Sequence, residues 1–205
     1  MTETARGGAT RERLLQAVES LLAERAEHEI TVRDITTAAG ANVASVAYHF
    51  GSRDALVTEA LRRVIARITE HRRAAIEALP PGTDLETLVR AWLAPALAAL
   101  SGRGDEGDEW RMLARTFLSA SPLLGNLAAE MRPEVERTLV RRLEELLPHL
   151  GPEELAWRHA ATLGLAGFLG SGGGFPIALG PGAQPDERFV AFVVGALSAP
   201  AGDER

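Results

Sequence analysis

The chain has 205 residues, with 22 Lys+Arg (every one an arginine), 28 Asp+Glu, no cysteine and 46% hydrophobic residues. That length and apolar content give a sizeable core, in one large domain or a small domain joined to a larger one, and exclude wholesale disorder. The missing cysteines exclude disulfides, thiolate metal sites and a cysteine nucleophile; the missing lysines exclude a Schiff base and a phosphate-loop lysine. The net charge of −6 opposes a nucleic-acid partner unless local charge overrides it. The first residues lack the apolar stretch of a secretory leader, so a cytoplasmic location is expected. The uncharged run 159–185 holds an apolar core, Ala160–Leu169, about half as long as a membrane span requires, so no membrane partner is expected.

Apolar residues recur at helical spacing throughout, and no segment alternates like a half-buried strand, so the chain reads as all-α with about nine helices. Leu14, Leu15, Val18, Leu21 and Leu22 form the first stripe; Thr10 is placed to cap it, with Gly7-Gly8 marking a loose arm before it. Thr31 and Asp34 have the spacing of a capping box for a short helix that stops at Gly40. Asn42 is placed as N-cap of a further short helix, Val43–His49. A long helix then runs over about 53–79, with Leu56, Ala60, Leu61, Val64, Ile65 and Ile68 on one face, until Pro80-Pro81-Gly82 ends it. Further helices are expected at about 84–100, 108–119, 122–147, 152–169 and 186–198, with Pro95 and Pro133 kinking two of them and 102–107 and 170–182 as loops. Arg62, Arg63, Arg72 and Arg73 read as a solvated face.

The informative stretch is Ile30–Leu56. Two short helices around a Gly-containing turn have the helix-turn-helix layout, with small Ala38 and Ala39 where the helices cross. At 100° per residue Val46 and Phe50 face inward, Ala44, Ser45 and Tyr48 face outward, and Val43, Ala47 and His49 flank them. A face of small residues allows close approach to a groove floor, where hydroxyl and methyl groups read base edges, including the thymine methyl. Residues 35–53 contain no Asp or Glu, although residues 1–55 as a whole carry six Arg against eight acids. The acids Glu19, Glu24, Glu27 and Glu29 must then point away from a duplex.

Thr31, Ile35, Ala39-Gly40, Asn42, Ser45, Tyr48-His49-Phe50, Arg53 and Leu56 resemble, in order and spacing, the DNA-binding region of the TetR (tetracycline-repressor) family of bacterial transcriptional regulators. The resemblance implies that Arg33, Val43, Ala44, Ser45 and Ala47 lie where family members read bases, and that Thr31, Tyr48, His49 and Arg53 lie where they hold phosphates. Asn42 is a cap whether or not it also touches phosphate. Ala44 stands where Gly or Pro is common, Ala47 replaces a frequent aromatic and Arg53 the usual lysine. The resemblance further implies residues 1–55 as a DNA-binding domain and 56–205 as a ligand-sensing and dimerisation bundle, acting as a dimeric repressor on a palindromic operator and released by a small-molecule effector.

In that bundle the last two helices are the expected homodimer surface, through Ala160, Gly164 and Gly167 on one and Phe189, Phe192, Val193 and Ala196 on the other. The alternative is that both pack only into their own core. Trp92, Arg115, Phe117, Met131 and His159 are the candidate pocket residues, although large side chains at helical spacing are more often ordinary core. No catalytic motif is present, the five histidines lack metal-ligand spacing, and neither metal nor cofactor is expected. A helical ligand-binding or scaffold protein without DNA binding is the competing class, a helical enzyme a more distant one.

Overall fold

The computed structural model describes residues 3–127, 137–171 and 184–201. All regular structure among them is helical. The elements are α1 (Glu3–Glu24), a 3-10 turn (Glu27–Glu29), α2 (Val32–Ala39), α3 (Val43–Phe50), α4 (Arg53–Glu77), α5 (Leu85–Leu100), α6 (Gly104–Leu118), α7 (described over 122–127), α8 (Arg137–Leu146), α9 (Pro152–Gly170) and α10 (Pro185–Ser198). Pro133 and most of the loop expected at 170–182 lie outside the described residues.

Local chemistry sets most of these boundaries. The Thr31 hydroxyl accepts from the Asp34 N–H at 3.2 Å, while the Asp34 carboxylate accepts from the Thr31 N–H at 2.8 Å, closing a reciprocal capping box. Gly40 ends α2 in the left-handed region, at φ 57°, where a side chain would be strained. Asn42 Oδ1 accepts from the Ser45 N–H at 2.9 Å, Ser52 caps α4 and Asp84 caps α5. Pro152 occupies the first turn of α9, where its missing N–H costs nothing.

Two expected boundaries are corrected. Helix α1 starts at Glu3, so Gly7 and Gly8 are helical rather than a loose arm, and Thr10 accepts from Arg13 within the helix instead of capping it. A Cβ on Gly7 would stand 3.8 Å from the His49 ring, so this extra turn lies against α3. Helix α6 starts at Gly104, inside the expected 102–107 loop. The reason is a close helix crossing: a Cβ on Gly107 would come within 2.8 Å of the backbone of Ala98 and Ala99 on α5. Glycine is therefore a packing requirement there, not a helix stop.

Two hydrophobic cores are strung along α4. The first gathers Leu14, Leu15, Val18 and Leu22 of α1, Ile35 and Ala39 of α2, Val46 of α3 and the α4 residues Leu56 to Ile68, and it also takes in Met112, Leu124 and Leu127 from α6 and α7. The second gathers Ile76 of α4 with apolar faces of α5, α8, α9 and α10. Trp110 packs against both, its indole N–H donating to the Ala166 carbonyl at 3.3 Å, in a space open only because residue 170 is glycine.

Candidate nucleic-acid interface

Helix α3 is held at both ends and along one side. Asn42 caps its start, Gly51 (φ 79°) turns the chain at its end, Val46 is buried and Phe50 packs against the first core under the Arg11 guanidinium, 5.0 Å from the ring centroid. The opposite side faces outward. Tyr48 is 85% exposed and Val43 60%, and Ala44 and Ala47 are exposed with them. Ser45 is half-buried, its hydroxyl donating to Asn42 Oδ1 at 2.9 Å. His49 is half-buried beside α1 and meets the Tyr48 ring edge-on at 4.8 Å.

The neighbouring charges divide into committed and free. The Thr31 hydroxyl donates to Asp34 Oδ2 at 2.6 Å, and Arg25 lies 3.8 Å from the same carboxylate. Those hydrogen bonds, chiefly from the Thr31 side chain and then its N–H, with Arg25 adding less, hold the Asp34 carboxyl below its ordinary value. A depressed folded value gives stability that is present above the ordinary carboxylate range and lost as pH falls through the folded value. Asp34→Asn is therefore expected to flatten the pH dependence of the thermal midpoint below about pH 4. Identical acid profiles for parent and variant would refute this. Arg33 is exposed, and no internal ion pair holds its guanidinium among the described residues.

Arg53 is placed differently from the phosphate-facing position the resemblance implied. Its Nε donates to the Ile30 carbonyl at 2.7 Å, Nη2 donates to the Glu27 carbonyl, and Nη1 pairs with Glu27 Oε1 at 2.6 Å and Asp54 Oδ1 at 2.8 Å. Glu27 is buried, and its other oxygen accepts from the Ser121 hydroxyl at 3.1 Å, just before α7. Arg53 thus fastens the start of α4 to the turn before α2, and Glu27 fastens that turn to the α6–α7 corner. In the sequence Glu27 stands out only as an acid that must point away from DNA. Nearby, Arg13 donates to the Ala39 carbonyl, closing α2, and Arg11 pairs with Glu59. Arg63 pairs with Glu12, and Arg67 joins Glu19 of α1 to Glu109 of α6. Of the four acids that must point away from a duplex, Glu19 and Glu27 are thus paired inside the fold, while Glu24 and Glu29 are exposed.

The other expected sites are sorted as follows. Trp92 and His159 come together in the second core, rings stacked at 5.0 Å. Arg72, expected on a solvated face, is buried instead: its guanidinium lies over the Trp92 ring at 5.8 Å and its Nε donates to the Trp92 carbonyl at 3.0 Å. Arg115 and Phe117 do not join them. Arg115 donates to the Leu22 and Ala23 carbonyls at the end of α1, and Phe117 is 57% exposed. Met131 lies outside the described residues. Of the expected dimer residues, Phe189, Val193 and Gly167 are buried within this chain, because α10 turns that face onto α5 and α9. Ala160, Gly164, Phe192 and Ala196 are exposed, with Trp157 and Ala161 beside them.

The model for the C-terminal domain of tetracyclin-repressor-like proteins matches residues 90–199, and that for bacterial regulatory proteins of the tetR family matches residues 14–60. The chain belongs to the TetR family. No curated protein matches this TetR-family regulator in sequence. Its fold is similar to that of a transcriptional regulator from Rhodococcus sp. Rha1, at 24% identity over 91% of this chain and 95% of that one (TM-score 0.62). It is also similar to a transcriptional regulator from Pseudomonas aeruginosa PAO1, at 22% identity over 96% and 90% (TM-score 0.65). A third similar structure is described as a TetR-family transcriptional regulator from Mesorhizobium loti MAFF303099, at 16% identity over 96% and 97% (TM-score 0.63). Identities this low speak for the fold alone. The TetR helix-turn-helix is thus α2 and α3, inside the matched residues 14–60, and the chain is a DNA-binding regulator of transcription. None of its described helices is long and apolar enough to cross a membrane.

Proposed function

We propose that the protein is a homodimeric cytoplasmic repressor that holds a palindromic operator through two copies of α3 and releases it when a small molecule binds the helical bundle. Residues 1–55 would read DNA, and residues 56–205 would sense and dimerise. The observation that carries the reading is the outward side of α3: small, free of acids, fixed by caps at both ends and flanked by exposed Tyr48 and Arg33. Arg33, Val43, Ala44, Ser45 and Ala47 would face bases. Thr31, Asn42, Tyr48 and His49 would lie near the backbone, while Arg53 would act through the placement of α3 rather than by direct contact.

The test is gel retardation of the DNA upstream of the protein's own gene. Retardation that weakens steeply with salt is expected, because neutralised phosphates release counterions. Arg33→Ala is expected to weaken operator binding by about 1–3 kcal/mol without changing the thermal midpoint. No retardation at low salt would sink the regulator reading, and an unaffected Arg33→Ala would sink the assignment of that residue.

Dimerisation is supported by the apolar stripe 157, 160, 161, 164 on α9 beside Phe192 (60% exposed) and Ala196 on α10; Trp157 at its head is 67% exposed. A Cβ on Gly164 or Gly195 would meet nothing within 4 Å, so a second chain has room to approach. Two such helices from each chain would make a four-helix bundle. Phe192→Glu is expected to give monomers in sedimentation; a dimer of unchanged affinity would move the interface elsewhere. Trp92, His159 and Arg72 are the proposed neighbourhood of the effector, which must bind the released arrangement more tightly than the DNA-bound one.

A further inference from the structure

The side of α3 that faces outward holds little that can exchange hydrogen bonds with base edges. Val43, Ala44 and Ala47 end in hydrocarbon, and all three are exposed. The Ser45 hydroxyl proton is committed to Asn42 Oδ1, and that oxygen also accepts the Ser45 N–H, so both polar side chains at the start of the helix serve its own cap. The hydroxyl of Thr31 is held by Asp34, and the guanidinium of Arg53 by Glu27, Asp54 and two carbonyls. What is left for polar contact on this surface is Tyr48 at the last turn of α3, the side-chain N–H groups of exposed Asn42, half-buried His49 and Arg33 on α2. In the major groove a base pair offers donors, acceptors and, at thymine, a C5-methyl group. Hydrocarbon set against a donor or acceptor strips its water and returns no bond; against a methyl it buries apolar surface on both sides.

We infer that Val43, Ala44 and Ala47 choose the operator by the C5-methyl groups of its pyrimidines, so that affinity at the pairs opposite α3 depends on the methyl and not on the hydrogen-bonding edge. The inference rests on the operator-binding reading above. It has a chemical corollary: 5-methylcytosine carries the same methyl in the same groove, so methylated cytosine stands in for thymine at these positions.

The experiment uses the full chain and a random-sequence duplex pool. The duplex selected at fixed salt is resynthesised with deoxyuridine for thymidine, singly and together, which removes the methyl and leaves every donor and acceptor in place. Each removal opposite α3 is expected to weaken binding about fourfold, the equivalent of one buried carbon, with the salt slope unchanged. Replacing such a thymine by 5-methylcytosine is expected to bind about fourfold tighter than replacing it by cytosine. Val43→Ala, an exposed position that leaves the core intact, is expected to shrink the deoxyuridine penalty at one pair only. If the selected duplex binds equally with and without its methyls, the inference is overturned and operator binding stands. If no duplex is enriched from the pool, both fall together.

Discussion

Glu27→Ala is expected to cost about 3 kcal/mol, the lower end for removing one partner of a buried ion pair. The lower end applies because Arg53 would keep Asp54 and the carbonyls of Ile30 and Glu27, and is itself about one-fifth exposed. For a chain of this size the thermal midpoint should fall by roughly 6–12 °C. The loss has two parts, since the Ser121 hydroxyl is also left without its acceptor. Ser121→Ala alone should cost about 1 kcal/mol. Glu27→Gln keeps one oxygen to accept from Arg53 and turns an N–H2 toward Ser121, whose hydroxyl oxygen can accept instead, so it should fall between the two. A Glu27→Ala protein melting within a degree of the parent would show that the start of α4 is fixed by packing of Leu56 and Val57 rather than by this clamp.

Trp92→Ala is expected to cost about 4 kcal/mol, read from the urea midpoint at unchanged slope. Trp92 is fully buried in the second core, stacked on His159 and covered by Arg72. Its removal leaves a cavity between α4, α5 and α9 and takes away the ring face over which a buried guanidinium sits. Trp92→Phe preserves a ring for both neighbours and should recover more than half of the loss. A cost below about 1 kcal/mol for the alanine variant would mean that the core collapses around the gap, and that the stack is not what ties α4 to α5 and α9.

These two variants also mark where sequence reasoning stops. Thr31 with Asp34, Gly40, and Asn42 with Ser45 act within a few residues of themselves, so the helix-turn-helix could be read from the chain alone. The outward side of α3 followed from its 100° period, because Val46 is apolar where Ala44 and Tyr48 need not be. Glu27 meets Arg53 across 26 positions and Ser121 across 94, and no local pattern announces such pairs. Arg72 looked solvated because arginine usually is; the aromatic ring and carbonyl that hold it belong to another helix. Gly107 read as a loop because the chain does not say that another backbone passes at that point. Phe189 and Val193 read as partner-facing because an apolar stripe carries no label for whose core it enters. Phe117 was misplaced by the converse assumption, that a large ring on a middle helix points inward.

Helix α4, with 25 residues, is about 37 Å long. Its first half is embedded in one core, its far end in the other, and the recognition helix is attached just ahead of its first turn. Such a rod is a lever. Pivoted at the Ile76 end, a tilt of about 5° would sweep the Arg53 end through about 3 Å, and in the proposed homodimer the same swing in the second copy would double the change in span between the two recognition helices. Small tilts at one end thereby become a sizeable fraction of the width of a major groove, about 12 Å.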